Sequence, residues 1–352
     1  MKNNNFIIIT IFIALISFSN SLLGQDNSKN TKIAQTGFQF LTVGTDARAT
    51  GLGEAYTTVE GSSNSLFYNP AGLARLNSYV DISLNRMQWI GDINYLSGTV
   101  GFNFSDGKYG VFGLSFSHID YGKFQFTRVA NVEKGYVDIE GFSQPYSFAV
   151  GIGYAKELSD KFSIGGQIKY VKQHLGDSYL PVEVYDTTGK VMGYTTDNQH
   201  IKNYALGVLA FDFGTLYKTG YKSLTFGMSV RNFAEELTYE KEGFQLPLVF
   251  RIGISMDLMD FYEKFKKNHK LMLHIDAAHP RSHPEYIAAG LEYSFMNVVA
   301  LRAGYVTGQD LYDFTLGFGV KKFGLELNYA YTPYLEFSDV HRLSLRFALF
   351  EK

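Results

Sequence analysis

The sequence contains no cysteine in 352 residues. That excludes disulfides, thiolate metal sites, a cysteine nucleophile and a lipoprotein anchor. It also lacks a charge excess of either sign, with 32 basic against 34 acidic residues, so nothing argues for nucleic acid as a partner. Catalytic signatures are missing as well. No serine sits in a G-x-S-x-G elbow. Gly51-Leu52-Gly53 follows no strand and lacks the further glycine and the lysine of a phosphate loop. The residues therefore give no catalytic or cofactor-binding constellation, and neither an enzyme nor a cofactor is expected.

What is present is aromatic and glycine-rich: 35 glycines, 25 tyrosines and 30 phenylalanines, alternating in a way that suits sheets with one wet and one apolar face. A mean hydropathy of −0.08 reads as soluble on average, but barrel strands hide their apolarity in alternation. At the N-terminus, Met1-Lys2 precedes an apolar run from Phe6 to Ile16 and then small residues to Gly24. The run is shorter than the ~20 residues of a spanning helix and reads as a secretory signal over 1–24.

From Tyr79 onward the pattern has a period of two. In the clearest case Phe250, Ile252, Ile254 and Met256 share one face while Arg251, Gly253, Ser255 and Asp257 share the other. That length and alternation match a membrane-spanning strand of ~9–11 residues. Leu343, Leu345, Phe347 and Leu349 repeat it opposite Arg342, Ser344 and Arg346. About fourteen such segments are legible, near 79–86, 95–104, 109–118, 146–155, 161–174, 201–213, 223–233, 247–258, 269–278, 286–295, 298–306, 312–320, 324–332 and 340–350. Long connections (119–145, 175–200, 234–246) alternate with tight ones such as 105–108 and 296–297, the asymmetry of an outer-membrane barrel. A small helix is expected in the connection at 260–267. The fold expected is all-β, a transmembrane antiparallel barrel over 79–352 whose last strand closes on the first.

Residues 25–78 form a lead-in and hatch. The stretch 37–76 is too glycine-rich for one long helix or strand. Asn69 is a natural N-cap and Pro70 suits the first helical position, so a short helix is expected over 71–76. Because the segment precedes the first strand, it should start on the periplasmic side and fold up into the lumen. Its small residues, Gly51 and Gly53 among them, allow close approach to the inner wall. Asp46 and Arg48 are spaced to meet lumen charges or each other's backbone. Arg231, Arg251, Asp257, Glu292, Arg302, Glu326, Arg342 and Arg346 should face inward and pair with one another and with this plug. His274 and Asp276 share a strand face, with His279 and His283 beyond. The pair has metal-ligand chemistry but reads better as lumen-facing polar residues, and no metal is expected.

The residues resemble a known family, the PorV/PorQ family of Bacteroidetes-type outer-membrane proteins, itself similar to the FadL channel. The likeness is sharpest at Gly44-Thr45-Asp46-Ala47-Arg48-Ala49-Thr50-Gly51-Leu52-Gly53-Glu54-Ala55 and at Asn69-Pro70-Ala71-Gly72-Leu73-Ala74. The resemblance implies an integral outer-membrane barrel of fourteen strands with an N-terminal hatch. It also implies work in type IX protein secretion, with translocon components and cargo C-terminal domains as partners gripped by the outer loops. The alternative is a FadL-like passive channel, with hydrophobic small molecules held by the hatch and an aromatic lumen. In either case outer-membrane lipids surround it.

Overall fold

The computed structural model describes residues 36–131, 135–185, 187–239, 241–262, 266–308 and 311–351. The signal expected over 1–24 lies outside them. Fourteen antiparallel strands close into a barrel. They are Ser78–Gln88, Asn94–Phe102, Val111–Asp120, Tyr146–Ser159, Phe162–Tyr185, Val191–Lys218, Thr225–Ala234, Val249–Asp257, His269–Pro280, Tyr286–Phe295, Val299–Val306, Phe314–Lys322, Leu325–Thr332 and Val340–Glu351. Each strand pairs with its barrel neighbour in the chain. The last pairs with the first from Ser78↔Glu351 to Gln88↔His341, so no backbone edge is left open to lipid.

The faces follow the alternation. On the eighth strand Arg251, Ser255 and Asp257 are buried toward the lumen, and Ile252 is 43% exposed on the lipid side. The register is pinned because a one-residue slip would put these charges into hydrocarbon.

The connections differ from the expectation at the outer end. The fifth and sixth strands run for 24 and 28 residues, well beyond the 8–14 of the other barrel strands. Much of 175–200 is thus hairpin rather than loop. Two further hairpins, Phe124–Asn131 with Gly135–Ser143 and Leu237–Tyr239 with Glu242–Phe244, stand in the other long outer connections. The outer parts of the fifth and sixth strands continue a sheet already formed and need no buried face of their own, which is why alternation alone missed their ends. At the periplasmic end, Leu258–Phe261 forms a single 3-10 turn capped by the Asp257 carboxylate, and the small helix expected at 260–267 falls in part on 263–265, outside the described residues.

The hatch fills the lumen. Its elements are short: a 3-10 turn at Gln39–Thr42, an α-helical turn at Ala47–Thr50, and 3-10 helices at Ser63–Phe67 and Pro70–Arg75. The Asn69 side chain caps the last of these through the Ala71 N–H, as the Asn-Pro pair predicts. The helix is 3-10 because six residues, ending with Leu76 N–H on Leu73 O, offer no room for a longer ladder.

The direction of the hatch corrects the expectation. Thr36 bridges Gln245, and Gly37 N–H donates to Gln245 O at 3.1 Å. Gln245 belongs to an outer connection, so the hatch enters at the outer end and descends to the first strand at the periplasmic end. Pairing with a segment some two hundred residues away fixed this, and no local signal carries it.

Candidate functional site

The site is the contact between hatch and inner wall. Arg48, on the α-helical turn, reaches Glu292 with Nε at 2.9 Å and Nη2 at 2.8 Å. Glu292 also accepts from Arg302 Nε at 2.5 Å. Arg302 lies 3.8 Å from Glu326, which is 3.2 Å from Arg346. Arg346 in turn donates to Asp81 Oδ2 at 2.7 Å and to Gly61 O. Asp81 Oδ1 then accepts from Ser63 N–H at 2.8 Å and Ser63 Oγ at 2.6 Å. The chain of alternating charges therefore begins and ends on the hatch. Buried ions are costly unless fully paired, so removing any one member leaves its neighbours uncompensated.

A second anchor is Asp276. Its Oδ2 accepts from Tyr56 N–H at 3.0 Å, Thr57 N–H at 2.9 Å and Thr57 Oγ1 at 2.6 Å. Neighbouring His274 meets Thr58 Oγ1 through Nδ1 at 3.3 Å. His279, by contrast, lies against Glu285 at 2.8 Å. Among the described residues no group of three or more His, Cys, Asp and Glu is placed to hold a metal ion. Arg251 donates to Glu54 O at 2.6 Å, Arg342 to Gly44 O at 2.9 Å, and Arg231 to Phe67 O. Asn69 spans hatch and wall, donating to Thr57 O at 2.7 Å and Thr215 O at 3.1 Å.

Asp46 is fully buried. One carboxylate oxygen caps the helical turn through Arg48 N–H at 3.1 Å, and the other has no partner. Burial pushes this carboxyl above its ordinary value, against the pull of the Arg48 N–H. Burial likewise pushes the Tyr56 phenol up.

Close approach depends on glycine on both sides of the contact. A Cβ on Gly51 would lie 3.0 Å from Gly317 Cα, and Gly53 needs its φ of +63° to turn. On the wall, a Cβ on Gly227 would lie 2.7 Å from Thr57 O, and one on Gly290 would lie 2.6 Å from Leu52 O. Pro70 packs over Gly165, while Ala71, Gly72 and Leu73 are buried beside it. The wall glycines, Asp81 and the anchoring role of Asp276 escaped sequence reading. Each looks like an ordinary lumen position until the hatch is set opposite it.

Between the hatch and the outer half of the wall lies a cavity of about 60 Å³. Phe40, Val43, Tyr68 and Ile119 are among its apolar lining, and Glu54, Gln167, Lys169 and Arg231 among its polar lining. Tyr95 Oη, Gln167 Oε1 and Arg231 Nε have no partner.

A closed antiparallel barrel with a lipid-facing apolar belt and a charge-anchored internal plug defines an integral outer-membrane protein. The family model for "Type IX secretion system protein PorV" matches residues 25–273, well over half of the chain. The chain belongs to that family, which places it in the outer membrane and outside the enzymes. Among solved structures it is similar in fold to the CymD monoaromatic hydrocarbon channel, with 12% identity and a TM-score of 0.54, covering 88% of this chain and 98% of that one. It is also similar to the TodX deltaS2S3 mutant monoaromatic hydrocarbon channel, with 11% identity and a TM-score of 0.50, covering 86% and 97%. Comparison with curated protein sequences gives no match.

Proposed function

We propose that this barrel is a gated passive channel for small hydrophobic or amphipathic compounds, opened by movement of the hatch. The observation that carries the reading is the cavity beside the strap 40–45, with aromatic and aliphatic residues in its lining and three unpartnered polar atoms. A ligand pocket joins apolar lining to convergent polar groups, and this cavity carries both. The likeness in fold to barrels described as monoaromatic hydrocarbon channels supports the reading. At its present size the cavity admits no aromatic ring, so the strap must shift for transport.

The test is conductance in a planar bilayer, comparing the intact protein with one lacking residues 37–68, followed by toluene flux into liposomes. The intact protein should be nearly closed and the deletion markedly more open. If both conduct like an open porin, the segment is not a gate and the reading is wrong.

A second reading is a type IX secretion accessory that engages translocon components or cargo C-terminal domains from outside. Its support is the family description together with the 24- and 28-residue strands that extend the outer face. Affinity purification from native outer membrane separates the two. Recovered secretion proteins favour the accessory, and a bound small lipophile favours the channel.

A further inference from the structure

The periplasmic end of the plugged barrel holds a second and larger space, independent of the outer cavity and of the transport reading. It has a volume of about 690 Å³ and opens between the periplasmic turns that carry Lys161, Lys222 and Asp260. That is ligand-sized. An adjoining space of about 270 Å³ shares Arg48 and Lys270 with it.

Six of the lining side chains of the larger space are basic and four are acidic. The carboxylates are largely engaged. Glu60 pairs with Lys218 at 2.6 Å and Arg75 at 3.2 Å, and Asp260 pairs with Lys266 at 2.6 Å. Asp257 accepts from the Met259 and Leu271 N–H groups. Only Asp160, on the rim turn, keeps an unengaged carboxylate among these four. The cations are less fully used. Among the described residues neither Lys161 nor Lys270 has a carboxylate within ion-pair reach. Arg48 spends Nε and Nη2 on Glu292 and leaves Nη1 without a protein partner.

The third observation is His274, which lines the same space and is 3% exposed. When the Thr58 hydroxyl donates to Nδ1, the proton sits on Nε2, and Nε2 has no partner. A buried, unpartnered ring nitrogen in the lining that also holds Lys270 and Arg48 is a poor arrangement for an empty wall and a good one for an oxygen-rich anion.

We propose that this vestibule is a binding site for a phosphate group presented from the periplasm. Lys270 and Arg48 supply charge and His274 supplies a third donor. An anion seated there takes the Nη1 that Glu292 leaves open, so Arg48 is shared between the wall and the bound anion.

The test is equilibrium dialysis of radiolabelled inorganic phosphate with the full-length protein in non-ionic detergent at low salt. Lys270→Gln and His274→Gln are compared with Lys108→Gln, which alters a periplasmic turn outside the vestibule. Wild type and Lys108→Gln should show one saturable site, with Lys270→Gln about tenfold weaker, the value of one charged contact. His274→Gln should weaken binding less. Hexyl phosphate in the same assay identifies the source. Affinity equal to that of phosphate means a free anion, and tenfold tighter binding means the head of an amphiphile. Absence of saturable phosphate binding to wild type, or equal affinity in Lys270→Gln and wild type, overturns the proposal.

Discussion

Replacing Asp276 with alanine should release the middle of the hatch while leaving the barrel intact. One oxygen of this side chain accepts three hydrogen bonds, from the Tyr56 and Thr57 N–H groups and the Thr57 hydroxyl. Hydrogen bonds to a charged acceptor are worth roughly 1.5–3 kcal/mol each, and local rearrangement recovers part of the sum, leaving a net loss of about 3 kcal/mol. At 1.36 kcal/mol per decade, local opening of the hatch becomes about two decades more populated. The two amides bonded to Asp276 are themselves the reporters. Hydrogen exchange read by mass spectrometry on peptides covering 53–58 should therefore accelerate about a hundredfold. Peptides from the Val299–Val306 strand, which holds no bond to Asp276, should not change. Asp276→Asn keeps an uncharged acceptor and should fall between. Unchanged exchange at 53–58 in Asp276→Ala would refute the assignment of Asp276 as an anchor. Equal acceleration across the barrel would show that the side chain supports the wall instead.

Gly290→Val should block assembly, because its Cβ would meet Leu52 O at 2.6 Å, whereas Gly166→Ala, whose Cβ meets nothing closer than 3.5 Å, should be tolerated. Heat-modifiable migration of the folded barrel on gels reads both. Ile252→Arg puts a charge on the lipid face at a cost of ~2–4 kcal/mol and should lower outer-membrane levels. Ser255→Arg, facing the vestibule, should do so less, and equal loss would count against the assigned faces. Asp46→Asn tests pH linkage. The Asp46 carboxyl is raised in the fold, so ionising it opposes the fold above the raised value, and the penalty fades as pH falls through that value toward the ordinary 3.8. Hatch amides in the Asp46→Asn variant should exchange more slowly than in wild type at pH 7, with the gap closing toward pH 4. A gap that widens on acidification would reverse the sign.

The wall was legible in the sequence because lipid and lumen impose opposite chemistry on alternate residues. Arg251 beside Ile252, or Arg346 beside Phe347, has one workable orientation, and the fourteen expected segments overlap the fourteen strands. The cap at Asn69 was legible because a local bond sets it. The anchoring of Asp276 and the need for glycine at 227 and 290 depend on which hatch atom lies opposite, and that is decided by packing across the lumen. The same holds for the long outer hairpins, whose strands continue past the hydrocarbon and so lose the alternation that marks the rest.

The direction of the hatch has a consequence for biogenesis. Residue 36 is held at the outer rim and residue 78 begins the wall at the inner rim, so the chain runs through the ring that its own later strands close. The last pairing to form, Ser78–Gln88 with Val340–Glu351, must then be made around a segment already in place. Otherwise the N-terminal part has to be fed through a finished ring against its charge chain. The first course is the simpler one, and it makes the hatch a template on which the barrel is wrapped. Withdrawal of the hatch toward the periplasm would have to drag residue 36 down the whole lumen. Opening by rearrangement inside the barrel needs no such passage.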